Sequence, residues 1–276
     1  MNNLLLYCLS LYPNNLNIIK KIGYIPVGLG KENFSDSWET DKIGKNISNK
    51  NSYYGEYTFH YRLWKNDIIK KNDIWIGFCQ YRKFWLKKKV EKNNLSFFQF
   101  NSLILKEIPK KFSNYESILG EEIFINKLKF SKFVKHGFKK IFLNPRLVLN
   151  KNKRNLKFHF DMWHGEGNLD KAINLLDKSE RSDFQDFVNK KISFNPHNMF
   201  ICKNKNILFK YYDSVFPWLE RCEKIFGFKN LKGYGLQRIY GFLAERYLSY
   251  WFKKYTKYTV LPIIFKDISD FNYKNL

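Results

Sequence analysis

Cysteine is scarce and unpatterned in this sequence. Cys8, Cys79, Cys202 and Cys222 are the only thiols in 276 residues. They stand far apart with no C-x-x-C pair, which argues against a zinc ribbon and against a disulfide-dense scaffold and fits a reducing cytoplasm. Acidic residues are also few, 25 against 49 Lys and Arg, leaving a net charge of +24. No run approaches the roughly 18 apolar residues that a membrane-spanning helix needs. The start, MNNLLLYCLSLYP, has a short apolar core but no basic leader and no small-residue cleavage site, so it reads as a first core strand. Motifs of the HExxH, GxSxG and phosphate-loop kinds are absent, and zinc hydrolysis and serine-triad chemistry have no support.

What is present is material for a core. Hydrophobic residues make up 44% and aromatic residues 19% of the chain, enough to exclude disorder for the bulk of it. The positive balance favours polyanionic partners: nucleic acid, anionic lipid or phosphorylated substrates. Lysines are spread through every segment together with Asn, Ile and Phe, which compositional bias produces equally well. Neither an internal repeat nor a clear linker is visible.

Apolar runs predict strands at Leu4 to Leu9, Tyr24 to Val27, Ile74 to Cys79, near Glu122 to Ile125, and Met199 to Cys202. A long loop rich in Gly, Ser, Asn and Asp is expected over residues 28–51. Helical spacing begins near Tyr54 and runs to Lys70-Lys71, and recurs at Phe97 to Lys106 and at Leu169 to Leu176, where Asn168 is a fair N-cap. It appears again at Asn206 to Ile225, where Pro217 should kink or divide the helix, and in LQRIYGFLAERYLSYWF from Leu236. Strands alternating with helices point to an α/β domain with a mainly parallel central sheet flanked by helices and a helical C-terminal portion. The simplest organisation is a single domain over 1–276. Residues 1–85 and 190–205 form the sheet core, 86–155 a basic and aromatic middle segment, and 206–255 the C-terminal helices.

In open α/β sheets ligands bind beyond the carboxyl ends of the strands. Those positions hold Gly28-Leu29-Gly30, then Gln80-Tyr81-Arg82, with His197-Asn198 beside the last strand. Arg82 stands out, because a guanidinium at a strand end can form paired hydrogen bonds to a phosphate or carboxylate. An ordinary surface cation, or the partner of a nearby carboxylate, is the equal alternative. Gly28 and Gly30 lack the rest of a dinucleotide fingerprint and suit a tight turn. His164 lies among Asp161, Glu166 and Asp170 in a glycine-marked loop, which supplies candidate acid and base groups or is simply a solvated loop. Glu245 and Arg246, with Arg238 seven residues before Glu245, place charge in an apolar helix, either facing substrate or as an internal ion pair.

The blocks IPVGLG, GKNISNKNSYYGEYTFHYRLWKN, IGFCQYRKF, NMFICKN and GFLAERYLSYW, in this order over about residues 24 to 252, together resemble the DUF4422 family of capsule and O-antigen glycosyltransferases. The family's N-I-S-x-x-N, E-L-T and W-K-N pattern is matched by Asn46, Ile47, Ser48, Asn51, Glu56, Thr58, Trp64, Lys65 and Asn66. Its HYRR block is Gln80, Tyr81, Arg82 and Lys83 here, with Gln in place of His and Lys in place of the second Arg. The segment Phe158 to Asp170 is similar to the family's aromatic, His and Asp-Leu segment, with His164 as the matching histidine.

The resemblance implies a GT-A-like fold and transfer from a nucleotide sugar, a UDP-linked furanose among the donors it suggests, to a growing capsular or lipid-linked polysaccharide. On that footing the donor is expected against Gly28, Asn46, Gln80, Tyr81, Arg82, His197 and Asn198. The catalytic groups are expected among Asp161, His164, Glu166 and Glu245, with the acceptor near Arg238 and Arg246. Mn²⁺ or Mg²⁺ is the usual cofactor of such enzymes. Gln80-Tyr81-Arg82 takes the place of their Asp-x-Asp, so no metal ligand is assigned. Expected surroundings are the cytoplasm and the inner face of the cytoplasmic membrane, where anionic lipid would meet the basic charge. A nucleic-acid-binding protein is the alternative from another class. It lacks a recognisable module and its aromatics follow core periodicity.

Overall fold

The structure, a computed structural model, describes residues 3–91, 95–127 and 153–271. Much of the basic segment expected over 86–155 lies outside these. The strands in chain order are β1 (Leu4–Ser10), β2 (Ile25–Gly28), β3 (Glu39–Thr40), β4 (Trp75–Gln80), β5 (Lys83–Trp85), β6 (Ser117–Gly120), β7 (Ile123–Phe124), β8 (Ser193–Phe194), β9 (Phe200–Cys202), β10 (Tyr258–Leu261) and β11 (Ile263–Phe265). The chain divides into two compact units, one of residues 1–121, 199–213 and 252–276, the other of 122–198 and 214–251.

The first unit holds the main sheet, ordered β10-β6-β9-β4-β1-β2-β3. β1 runs parallel to β2 and β4, β2 to β3, and β10 to β6, while β9 is antiparallel to both β4 and β6. The mainly parallel α/β architecture expected from the sequence is therefore the one observed. Parallel neighbours need crossover connections, and helices supply them: Leu16–Lys21 between β1 and β2, Asn51–Tyr54 and Tyr57–Asn66 between β3 and β4.

Both faces of this sheet are covered, so its strands read as continuous apolar runs. Leu4, Leu6 and Cys8 of β1 and Trp75 and Cys79 of β4 point into a cluster with Ile18, Ile19, Trp85 and Phe100. On the opposite face Tyr7 stacks on Phe78 at 5.6 Å and meets Phe59 at 5.3 Å. Gly77 is a glycine because the side chains of its neighbours on the two flanking strands, Leu6 of β1 and Ile201 of β9, fill the space beside it. A Cβ at that position would lie 2.7 Å from Leu6 Cδ2 and 2.8 Å from Ile201 Cγ1.

The second unit is mostly helical, with β7 and β8 as a short antiparallel pair. Its core is aromatic. Phe184 packs edge-on to Trp218 and Tyr247, and the Trp218 indole donates to the Ala172 carbonyl at 2.7 Å.

Several boundaries differ from expectation for local reasons. The helix expected to reach Lys71 stops at Asn66 because Asp67 adopts a left-handed conformation, φ 47°. Pro217 lies inside one helix, Lys205–Phe226, which is neither divided nor ended there. Val215, Phe216, Trp218 and Leu219 around it are all buried, and that packing outweighs one lost amide bond. Asn168 opens its helix without capping it. Gly167 is the cap, and the Asn168 side chain donates back to the His164 carbonyl at 2.8 Å. Within the 28–51 loop, β3 pairs with β2 and Trp38 is buried.

Gly77→Val forces a branched side chain between Leu6 and Ile201. It is expected to destabilise the protein by about 1–3 kcal/mol, read as a lower urea midpoint with an unchanged slope. An unaltered midpoint would show that Leu6 and Ile201 move aside without cost.

Candidate functional site

Four of the parallel strands of the first unit, β1, β2, β3 and β4, end at Ser10, Gly28, Thr40 and Gln80, and each end is shaped by its own polar contacts. After β1, Ser10 Oγ accepts from the Tyr12 amide and from Asn15 Nδ2, both at 3.0 Å, which closes the chain into a tight turn. At the end of β2 the Phe34 ring lies over Gly28, where any Cβ would come within 2.4 Å of it. Close backbone approach is the role of this glycine, and a side chain there would displace the loop.

After β3 the carboxyl of Asp41 is fully buried, and its Oδ2 accepts from the Thr58 hydroxyl at 2.5 Å. Burial pushes its pKa up, against the lowering effect of that hydrogen bond. Asn46 shapes the loop that follows. Its Nδ2 donates to the Lys42 and Gly44 carbonyls, both at 2.8 Å, and its Oδ1 accepts from the amide and hydroxyl of Ser48. Asn51 donates to Gly55 and Thr58, and Asn66 bonds in both directions with Lys45. The N-I-S-x-x-N residues thus fold one loop over the end of β3.

At the end of β4, Gln80 Nε2 donates to Glu56 at 3.2 Å and its Oε1 accepts from Lys83 at 3.0 Å. Tyr81 is buried edge-on against Tyr12 at 5.3 Å, and burial pushes its phenol up to about 12. The Arg82 side chain is 54% exposed, with Nε on Asp267 Oδ2 at 2.7 Å and its guanidinium 4.8 Å from the Tyr81 ring centre. It borders a cleft of about 400 Å³ with Tyr12, Asn14, Asn15, Asp267 and Ser269. The groups here are amides, phenols and a guanidinium paired to one carboxylate, a poor donor set for a divalent cation. Among the described residues no group of three His, Cys, Asp or Glu is arranged to hold a metal.

The remaining candidates lie in the second unit. Asp161 accepts from Lys157 at 3.1 Å and from the Gly167 amide at 3.2 Å, and Lys157 also pairs with Asp170. His164 is buried, stacked on Phe242 at 4.1 Å, with Nδ1 on the Gly235 carbonyl at 2.9 Å, so that nitrogen carries the proton. Burial first, then the charge of Arg246, lowers its pKa to about 3. Glu166 is exposed.

Glu245, Arg246 and His197 are brought together. The Glu245 carboxylate pairs with Arg246 at 2.5 Å and accepts the His197 amide at 2.6 Å. His197 and Asn198 both have positive φ, 76° and 53°, and Asn198 Nδ2 donates to the Gly241 carbonyl at 3.2 Å. Arg246 itself is only 1% exposed. It lies 3.8 Å over the Phe194 ring and contacts His159 Nδ1 at 3.2 Å. Arg238 lies 5.6 Å from the Tyr234 ring centre. Sequence reasoning missed Tyr12, Asn14, Asn15, Asp267 and Ser269. Pro13-Asn14-Asn15 was readable as the close of a strand, but nothing local joined it to the far end of the chain.

A family model described as a domain of unknown function, DUF4422, matches residues 11–257. No curated protein matches the chain. The apo structure of WbbM, a bifunctional glycosyltransferase, superposes over 96% of this chain with a TM-score of 0.69 and 20% identity. The chain spans 45% of the WbbM chain, less than half its length. The mannosyltransferase Ktr4p from S. cerevisiae aligns over 80% of this chain and 61% of its own at 11% identity, with a TM-score of 0.28, too loose to bear on the fold.

The buried histidines make a pH dependence. His60, caged by Phe78 and Tyr212, and His164 both have pKa values lowered by burial to about 3, and His159 is lowered as well. The unfolded chain takes up protons below about pH 6.5 while the folded state refuses them. Stability is therefore fully present above that pH and falls as pH drops, each group contributing up to about 1.4 kcal/mol per unit. Urea midpoints at pH 7, 6 and 5 should decrease in that order; a flat series would contradict the neutral, buried imidazoles.

Proposed function

The chain belongs to the DUF4422 family, and we propose that it is a glycosyltransferase moving a sugar from a nucleotide-sugar donor to a growing capsular or lipid-linked polysaccharide. The observation that carries this reading is the likeness of nearly the whole chain to WbbM, a bifunctional glycosyltransferase. The donor in this reading is UDP-linked, a galactofuranose-type sugar included. Its place is the carboxyl-terminal edge of the main sheet, by Gly28, Asn46, Gln80, Tyr81 and Arg82. His197 and Asn198, the other expected donor contacts, lie in the second unit.

Departure of a nucleoside diphosphate leaves negative charge on the phosphate oxygens. A guanidinium positioned there stabilises that charge, work that a divalent cation does in other enzymes. Arg82 fits the role because it is the exposed cation at the end of a central strand. Gln80, tied to Glu56 and Lys83, sits where the family has histidine, and it offers an amide for hydrogen bonding. The acceptor hydroxyl must lose a proton as it attacks the anomeric carbon, so a base is needed. Asp161, Glu166, Glu245 and His164 are the candidates. Of these Glu166 is the exposed carboxylate, whereas Glu245 is bonded to Arg246 and His197. Arg238 and Arg246 are kept as the proposed acceptor-side residues, Arg246 acting through Glu245 and the turn at His197.

The net charge of +24 suits work beside an anionic membrane surface, since each basic residue near such a surface contributes on the order of 1 kcal/mol. No helix among the described residues is long and apolar enough to cross a membrane. The proposed location is the cytoplasmic side of the membrane, in peripheral contact with it.

A thermal-shift screen of UDP, GDP, CMP and their sugars, with and without Mn²⁺, tests the reading. At about a hundred times its Kd one of them should add roughly 2.7 kcal/mol of stability, a rise of several degrees. Arg82→Ala should weaken that nucleotide about 10- to 100-fold, the loss of a charge-assisted hydrogen bond of about 1.5–3 kcal/mol. No shift with any nucleotide or nucleotide sugar would overturn the proposal.

A further inference from the structure

The segment that follows β11 crosses the ends of β1 and β4. The amides of Lys266 and Ile268 donate to the carbonyls of Arg82 and Tyr81 at 3.0 and 3.2 Å. Ser269 Oγ donates to Asn15 Oδ1 at 3.0 Å, and Asn15 in turn donates to Ser10. This strap is therefore fastened both to the turn after β1 and to the end of β4. Asp267 sits between the fastenings. Its Oδ1 accepts from the Ser269 amide at 3.0 Å and its Oδ2 from Arg82 Nε at 2.7 Å.

An arginine held through Nε keeps the other edge of its fork. Among the described residues, neither terminal amino group of Arg82 makes a hydrogen bond to the protein. Both belong to a side chain that borders the cleft with Tyr12, Asn14 and Asn15. Left unheld, a half-exposed arginine keeps rotamer freedom that binding would have to remove. The carboxylate on one side and the Tyr81 ring on the other limit that freedom before any ligand arrives.

We propose that Asp267 is a positioning residue of the donor site: by holding Arg82 at Nε it presents the two terminal amino groups as parallel donors to the diphosphate of a nucleotide sugar. The inference rests on the glycosyltransferase reading of this same strand end, and adds the carboxyl-terminal strap to the site. Orientation and charge work against each other here. The carboxylate orients the guanidinium but offsets part of its attraction for a dianion. An asparagine keeps an acceptor oxygen for Nε and removes the opposing charge.

The test is calorimetric titration of the full chain with whichever of UDP, GDP, ADP or CDP raises its unfolding temperature most. Asp267→Ala is expected to weaken binding about tenfold, Asp267→Asn to retain most of it, and Asp267→Ala to add nothing in an Arg82→Ala background. Asp270→Ala, which removes the Lys266 pair in the same strap, should leave binding as it was. The inference falls if Arg82→Ala weakens binding while Asp267→Ala does not. It falls equally if Asp267→Ala costs as much without Arg82 as with it, or if Asp270→Ala matches its loss, because the strap would then act only as structure. Normal binding by Arg82→Ala itself would remove the underlying donor-site reading, and the positioning role with it.

Discussion

A parallel strand buried on both faces can carry polar side chains only at its ends. β1 and β4 are such strands, paired with each other over six positions and covered on one side by the Leu16–Lys21 crossover and on the other by Phe59 and its neighbours. Every residue from Trp75 to Cys79 is buried, and the first polar side chain is Gln80. Because β1, β2, β3 and β4 run the same way, their polar ends meet along one edge. The chemistry of the first unit is therefore concentrated by topology before any particular residue is considered. Gly77 belongs to the same constraint: Leu6 and Ile201 on the flanking strands fill the space so fully that this position of β4 has no room for a methyl group.

Much of this was legible in the sequence. The runs Leu4 to Leu9 and Ile74 to Cys79 announce buried strands; the first observed strand runs one residue further at its carboxyl end, and the second is shifted by one residue in that direction. The N-I-S-x-x-N block was legible as a motif, although not in its physical role. Asn46 and Asn51 spend their amides on nearby backbone and hydroxyl groups, and Asn66, at the end of the Tyr57–Asn66 helix, reaches back to the Lys45 carbonyl. Asn46 and Asn66 each use both the donor and the acceptor of the amide at short range, and Asn51 uses its donor twice. The short strands β5, β6, β10 and β11 were not legible. Each has three or four residues, too few to show a period, and their pairing is decided by partners far along the chain. Asp267 was hidden for the same reason, being 185 residues from Arg82.

Aromatic content is likewise informative only once burial is known. Stacking rings beside positive charge are the footprint of single-stranded nucleic-acid binding. Here Tyr57, Tyr211, Tyr212, Phe78 and Phe200 are buried, and the Tyr57 and Tyr211 hydroxyls bond each other at 2.6 Å inside the core. Rings committed in this way offer no platform to a base, whereas Phe98, Tyr234 and Phe265 stand exposed at the surface.

Two arginine–carboxylate pairs show how burial decides the use of one chemistry. Arg246 and Glu245 are almost wholly enclosed, and the guanidinium lies against Phe194. Removing two charges from water is costly, and their attraction repays it only with good geometry and further hydrogen bonds. Glu245 supplies one such bond, taking the amide of His197 in a left-handed conformation that few residues other than glycine adopt readily. Arg82 and Asp267 make the same contact at the surface, where water screens it and its contribution to folding is small. What that pair retains is direction. One edge of the guanidinium is fixed, the other faces a cleft, and the charge stays within reach of an anion from solution. The enclosed pair is suited to holding the backbone turn at His197, and the open pair to meeting a ligand.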